Sequence, residues 1–206
     1  MVLVPEVLMR FGRWDEVLAE PKPSTALPLS QALWRYTRAV ALTALGRTAE
    51  ATTERAAFRK AVAAVPKTST FGNNPAATLL AIATRSLDAE IAAAQGRFPD
   101  AIALLTQAAS IEDGLRYDEP PDWIQPVRHS LGAVLMRSGH YAWAETVYRA
   151  DLARAPENGW SLYGLAEALR RQQKPEEAAS VETRFRRIWA ASDIQLGSTC
   201  FCLPDA

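Results

Sequence analysis

At 206 residues and zero formal net charge, the chain has room for one large domain or one extended array, and it carries no long-range field to draw nucleic acid or an anionic membrane. Nearly half of it (49%) is apolar, much of that alanine and only 8% aromatic, a composition suited to closely packed helices. No run approaches the eighteen uninterrupted apolar residues that a membrane-spanning helix needs, and the start, "MVLVPEVLMR", is apolar before it is basic, the reverse of a secretory leader.

Glycine sets a ruler along the chain. Gly12, Gly46, Gly96 and Gly139 each follow one apolar helical pattern and precede another, in "GRW", "GRT", "GRF" and "GHY". The step from Gly12 to Gly46 equals the tetratricopeptide period, a helix–turn–helix unit of about 34 residues. The steps from Gly46 to Gly96 and from Gly96 to Gly139 are each one period plus an insertion, the first insertion the longer. One further period from Gly139 reaches Gln173 in "RQQKPEEAA", where a fifth turn is expected. Such units stack because one helix pair cannot bury its apolar face alone.

In chain order, residues 1–30 form a shortened first unit, with Pro5 at a helix start and "DEVLAE" as its second helix. Residues 31–66 form the second unit, and 67–78 an inserted loop around "PKTSTFGNNPAAT". There Gly72 and Asn73 favour a turn, and Asn74 with Pro75 reads as an N-cap followed by the first helical position. Residues 79–113 are the third unit and 114–124 a second inserted loop, "YDEPPDW" at its centre, with Asp122 expected to cap the following helix. The fourth unit, 125–158, is the clearest. Leu131 and Gly132 mark its helix crossing, Gly139 and Tyr141 its turn, Ala144 and Tyr148 its second-helix packing face, and Pro156 its end. Residues 159–192 form the fifth unit, and 193–206 a C-terminal tail or cap. The expected fold is all-α, a right-handed α-solenoid of about five helix-turn-helix units without strands.

The chain resembles tetratricopeptide-repeat proteins throughout. More narrowly, it is similar to the C-terminal part of a longer bacterial repeat family of unassigned function, through "RFGRWDEVL", "NNPAATLLAIA", "LRYDEPPDW", "VRHSLGAVL", "YRADLARAPENGWSLYGLAEALR" and "RFRRIWAASDIQL". The resemblance implies a binding role and no catalytic residues. It places groove-facing side chains on the first helix of each pair: Leu33, Tyr36 and Thr43; Ser86 and Glu90; His129, Met136 and Arg137; Trp160, Tyr163, Glu167, Arg170 and Arg171.

The C-terminal half of that groove is aromatic and arginine-rich, the N-terminal half bland. Arg137, Arg170 and Arg171 suit a carboxylate clamp; the alternative is that they are solvated or paired along their helices with Glu167 and Glu176. Trp160 and Tyr163 either anchor a partner or pack between units. In the inserted loops, Asn73, Asn74, Tyr117, Asp118, Glu119, Asp122 and Trp123 combine rigid aromatic area with polar groups, as a binding loop would; the plain alternative is a spacer. No P-loop, dinucleotide fingerprint, nucleophile elbow or HExxH pattern occurs, so no enzyme activity and no cofactor are expected. His129 with Glu119 or Asp122 lacks a nucleophile or metal partner.

Cys200 and Cys202, one residue apart in "CFC", disfavour a mutual disulfide and cannot close a metal site alone, which points to a reducing, cytoplasmic setting. The leading expectation is a protein–protein interaction scaffold that takes a peptide or helix in the concave groove. The alternatives are a structural portion of a larger enzyme or transport factor, self-association through the apolar first unit, and small-molecule binding between the two loops.

Overall fold

The computed structural model describes residues 3–201. Among these the elements run α1 (Leu3–Arg10), α2 (Trp14–Ala19), α3 (Pro28–Ala44), α4 (Thr48–Ala63), β1 (Thr70–Phe71), β2 (Asn74–Pro75), α5 (Ala76–Ala94), α6 (Phe98–Asp113), α7 (Val127–Arg137), α8 (Tyr141–Arg154), α9 (Gly159–Arg171) and α10 (Pro175–Trp189). The chain divides into two compact units, one running to Val127 and including Phe201, the other Arg128–Cys200. No helix among the described residues is long and apolar enough to cross a membrane.

Unit 1 holds three helical hairpins in series, α1/α2, α3/α4 and α5/α6, with α3 packed on both its neighbours. Its core is small-residue-rich: Ala32, Ala39, Ala41, Ala83, Ala89, Ala101 and Ala108 let the helices close up around Val40, Phe58, Ile82, Leu87 and Leu105. Ion pairs stitch successive helices, with Arg35 on Glu54 between α3 and α4, and Arg55 and Arg59 on Asp88 between α4 and α5. The short first hairpin is tied on by polar groups of α3: the Trp34 indole donates to Glu20 O and Arg38 to Leu18 O.

In unit 2, α8 packs on α9 and α9 on α10. Tyr148 of α8 is 1% exposed and lies between Gly132 of α7 and Gly164 of α9. A Cβ on either glycine would sit within 2.4 Å of the Tyr148 ring, so the Gly132 and Tyr148 matches in the sequence are two halves of one contact.

The turns repeat as the glycine ruler requires. Gly12, Gly46, Gly96 and Gly139 have φ between 67° and 79°, and Gln173 joins them at φ 60°, the left-handed region that only glycine enters without strain. In each turn the next residue (Arg13, Arg47, Arg97, His140, Lys174) donates its N–H to a carbonyl near the end of the preceding helix, at 2.8–3.0 Å, closing that helix. Arg13, Arg47 and Arg97 then pair with Glu16, Glu50 and Asp100 in the first turn of the next helix.

Three expectations need correction. The chain is not free of strands: β1 and β2 pair antiparallel about the Gly72–Asn73 turn. Asn74 is not the N-cap of α5, whose cap position is Pro75; its side chain is used across the fold instead. Asp122 does not cap α7, because the Val127 N–H is taken by Glu112 from the end of α6 at 3.0 Å. In addition, Cys200 is disulfide-bonded, against the expectation drawn from the "CFC" spacing; Cys202 lies outside the described residues.

Candidate functional site

The two inserted loops clasp each other within unit 1. The Asn74 amide donates to Arg116 O at 3.0 Å and Asp122 Oδ2 at 2.8 Å, while its Oδ1 accepts the Arg116 N–H at 2.8 Å. Asn73 donates its N–H to Asp118 Oδ2 and its side-chain amide to Tyr117 O. Gly72 sits so close to Asp118 and Asp122 that a Cβ would lie 2.1 Å from an Asp122 oxygen. Asn73, Asn74, Asp118 and Asp122 therefore spend their polar groups on one another. Tyr117 is 79% exposed and donates its hydroxyl to Glu119.

This clasp aims the end of the second loop back at the helices. Trp123 is 7% exposed and packs on Tyr36 of α3, ring centroids 5.6 Å apart, with Phe58 on another side of Tyr36 at 6.1 Å. The groove positions read from the sequence in this unit, Leu33, Tyr36, Thr43, Ser86 and Glu90, are all buried rather than open. Beside Tyr36 remains a recess of about 230 Å³ lined by Glu6 and Met9 of α1, Tyr36, Trp123, Ile124 and Gln125.

The charge pattern of this region is unusual. Glu6 is 8% exposed and Glu90 3% exposed, and no hydrogen bond or ion pair to either occurs among the described residues; Glu90 Oε2 is fully enclosed with no partner. A buried polar atom without a partner costs about 1–3 kcal/mol, so the enclosed Glu90 oxygen calls for a physical reason. Burial alone pushes the Glu6 carboxyl up to about 7 and that of Glu90 up to about 8. The Tyr36 phenol is pushed well up, first by its own burial and then by the charges of Glu90 and Glu6. Glu90 is among the groove positions read from the sequence. Glu6 is not, although it is the one ionisable side chain in "MVLVPEVLM".

In unit 2 the sequence-read site residues divide by burial. His129 is wholly buried, and its Nε2 lies 3.1 Å from Asp151 Oδ2; the Ser161 hydroxyl donates to the same oxygen at 2.6 Å. The partner of His129 is thus Asp151, not Glu119 or Asp122. With the carboxylate at the hub and serine bonded to it rather than to imidazole, the trio holds α7, α8 and α9 together and lacks the order of a nucleophilic relay. Burial pushes the Asp151 carboxyl up, but hydrogen bonds from His129 and Ser161 and the His129 and Arg128 charges win, leaving it below the ordinary range. Thr199 extends the network from the tail, donating to His129 O at 2.8 Å and meeting the Tyr148 hydroxyl at 2.9 Å.

Trp160 is buried edge-on against Trp189 of α10, and Tyr163 packs on Phe185, so both aromatics fill the α9/α10 seam. Arg170 pairs with Glu167 and Glu182, and Arg171 with Glu167. Arg137 is exposed at the end of α7. Among the described residues no group of three or more His, Cys, Asp and Glu side chains is placed to hold a metal ion.

A family model described as tetratricopeptide repeat matches residues 82–107 and 159–181. The chain carries tetratricopeptide repeats. The matched segments are the α5/α6 and α9/α10 hairpins, and their starts are separated by two repeat periods plus the insertion read ahead of the fourth unit. No curated protein and no solved structure matches the chain. Tetratricopeptide repeats generally mediate protein–protein interaction and typically serve as non-enzymatic scaffolds.

Proposed function

We propose that the chain is a non-enzymatic scaffold that binds a peptide or helix of a partner protein along the first helices of its hairpins, with unit 1 as the principal docking surface. The observation that carries this reading is the recess beside Tyr36. It is walled by an inserted loop and floored by α1 and α3, and it is lined by Glu6, which is 8% exposed and has no hydrogen bond or ion pair among the described residues. On unit 2, Arg137, Arg170 and Arg171 offer a secondary contact for acidic partner groups. Because Arg170 and Arg171 are already paired with Glu167 and Glu182, a partner carboxylate would exchange with these exposed pairs, each worth about 1 kcal/mol or less.

A peptide-display selection against the full chain, followed by mapping of amide shifts with the selected peptides, tests the reading. Shifts centred on α1, α3 and the 114–126 segment are expected. Failure to select any peptide, or shifts confined to α2, α4 and α6, would overturn it.

A second reading is favoured by one feature of α1. Val4 (48%), Val7 (39%) and Phe11 (41%) are exposed at helical spacing on the first hairpin. That stripe suits the packing of another helical repeat, from a longer assembly or a second copy of this chain. Analytical ultracentrifugation of the wild type and a Val4→Glu, Val7→Glu variant separates the cases: concentration-dependent association abolished by the variant supports a second copy.

A further inference from the structure

Two features of unit 1 meet at Tyr36. One is the recess, which is small: about 230 Å³ including its mouth, with space inside for a single group of water size. The other is the Glu6 carboxyl of α1, which lines the recess, is 8% exposed and has no hydrogen bond or ion pair among the described residues. Native folds bury partnerless acids rarely, and such groups mark places where something else completes the set.

The chemistry of the walls narrows what that is. Acids repel an anion. A divalent metal needs more hard ligands than one carboxyl supplies, and no group of three or more His, Cys, Asp and Glu side chains is placed to hold one among the described residues. A neutral hydroxyl would bond one oxygen and leave the acid protonated. A guanidinium is a broad plane that takes a carboxylate through a two-pronged fork, which space for one water-sized group does not admit. A quaternary ammonium has no N–H to give. A primary ammonium has the right size, three donors and a full charge, and Tyr36 and Trp123 line the recess with aromatic side chains, the kind that favour a cation.

We propose that the recess between α1, α3 and the 114–126 segment receives one primary alkylammonium group, with Glu6 as its direct counter-ion and Trp123 as its aromatic wall. The proposal rests on the docking reading above only for the source of the group: a lysine side chain of the docked partner, as opposed to a free amine. Because burial raises the Glu6 carboxyl to about 7, a share of it is protonated in the empty recess at neutral pH, and entry of the cation expels those protons to solvent. That release is a signature a merely structural glutamate would not give.

The probe is n-butylammonium, the lysine side chain without its backbone, titrated into the full chain while the Trp123 indole N–H is followed by NMR. Butylguanidinium, tetramethylammonium and potassium are run at matched ionic strength. A saturable shift is expected with butylammonium, at least about tenfold tighter than with the other three and weakened about tenfold or more in Glu6→Gln. Calorimetry of the wild type in two buffers of different ionisation enthalpy reads proton release without any variant.

Absence of a saturable shift, equal affinity for butylguanidinium, unchanged affinity in a folded Glu6→Gln variant, or binding without proton release would each overturn the proposal. Peptides selected for binding to unit 1 distinguish the sources. Loss of their affinity on replacing lysine by norleucine assigns the group to a partner protein. Butylammonium binding with no peptide binding keeps the proposal, with a free amine as ligand, and removes the scaffold reading. Peptide binding to unit 1 without butylammonium binding does the reverse.

Discussion

Glu90→Gln isolates the buried acid from the rest of the fold. In the native state this carboxyl is pushed up to about 8 by burial, against an ordinary value of 4.5. A raised folded-state value means that the native chain holds its proton more tightly than the unfolded chain does. The stabilisation from this group is therefore complete below about pH 4.5 and is lost as pH rises to about 8. Each unit of displacement is worth about 1.4 kcal/mol, so the loss across that window reaches about 5 kcal/mol, and about 4 kcal/mol between pH 5 and pH 8. Glu6 acts in the same direction up to its own value of about 7.

The acids held low by partners, Glu145, Asp151, Glu157 and Glu182, lose their contribution only as pH falls below the ordinary carboxylate range, outside this window. Urea unfolding of wild type and Glu90→Gln at pH 5 and pH 8, followed by tryptophan fluorescence, is the assay. The amide has the shape of the neutral acid and cannot ionise. The stability difference between variant and wild type should shift by about 4 kcal/mol in the variant's favour from the lower pH to the higher. An unchanged pH dependence in the variant, or a wild type that gains stability over this range, would refute the assignment of Glu90 as an enclosed, largely neutral acid.

Gly132→Ala places a methyl 2.3 Å from the Tyr148 ring and should cost about 3 kcal/mol by thermal or urea unfolding, with much of the loss recovered in combination with Tyr148→Leu. Gln173→Gly relieves a left-handed turn residue at φ 60° and should stabilise unit 2 by about 0.5–1 kcal/mol, seen as a rise in Tm. Asn74→Ala removes three hydrogen bonds that clasp the inserted loops, at a cost of about 2–3 kcal/mol, and should speed hydrogen exchange at the Arg116 amide, which now donates to the Asn74 side chain.

The repeating architecture was legible because its signals are local. A left-handed turn needs glycine within a few residues, and the spacing of Gly12, Gly46, Gly96 and Gly139 carried the period far enough to place the fifth turn at Gln173, which has no glycine to announce it. Gly132 and Tyr148 were each readable for a similar reason, as a helix crossing and a packing position, but their pairing was not: only the structure sets the residue with no side chain opposite the one that fills the gap. The short strands escaped because two residues per strand leave no alternation to detect, and the hairpin is held mainly by groups from elsewhere.

Asn74 and Asp122 show where local reading fails. Each sits where a helix-capping residue belongs, Asn74 before a proline and Asp122 ahead of α7, yet each finds the other, far along the chain, at 2.8 Å. Capping contributes about 1 kcal/mol, whereas the clasp satisfies three hydrogen bonds at once and buries Asn74 to 2% exposure, so the long-range alternative wins. The same competition moves Trp123. Read along the chain it is an exposed loop aromatic; with the loop pinned at Asn74, its indole reaches Tyr36 and closes the recess over Glu6. The candidate site therefore has no sequence motif of its own. Its members come from α1, α3 and an insertion, and they meet only because an asparagine that could have capped a helix bonds across the fold instead.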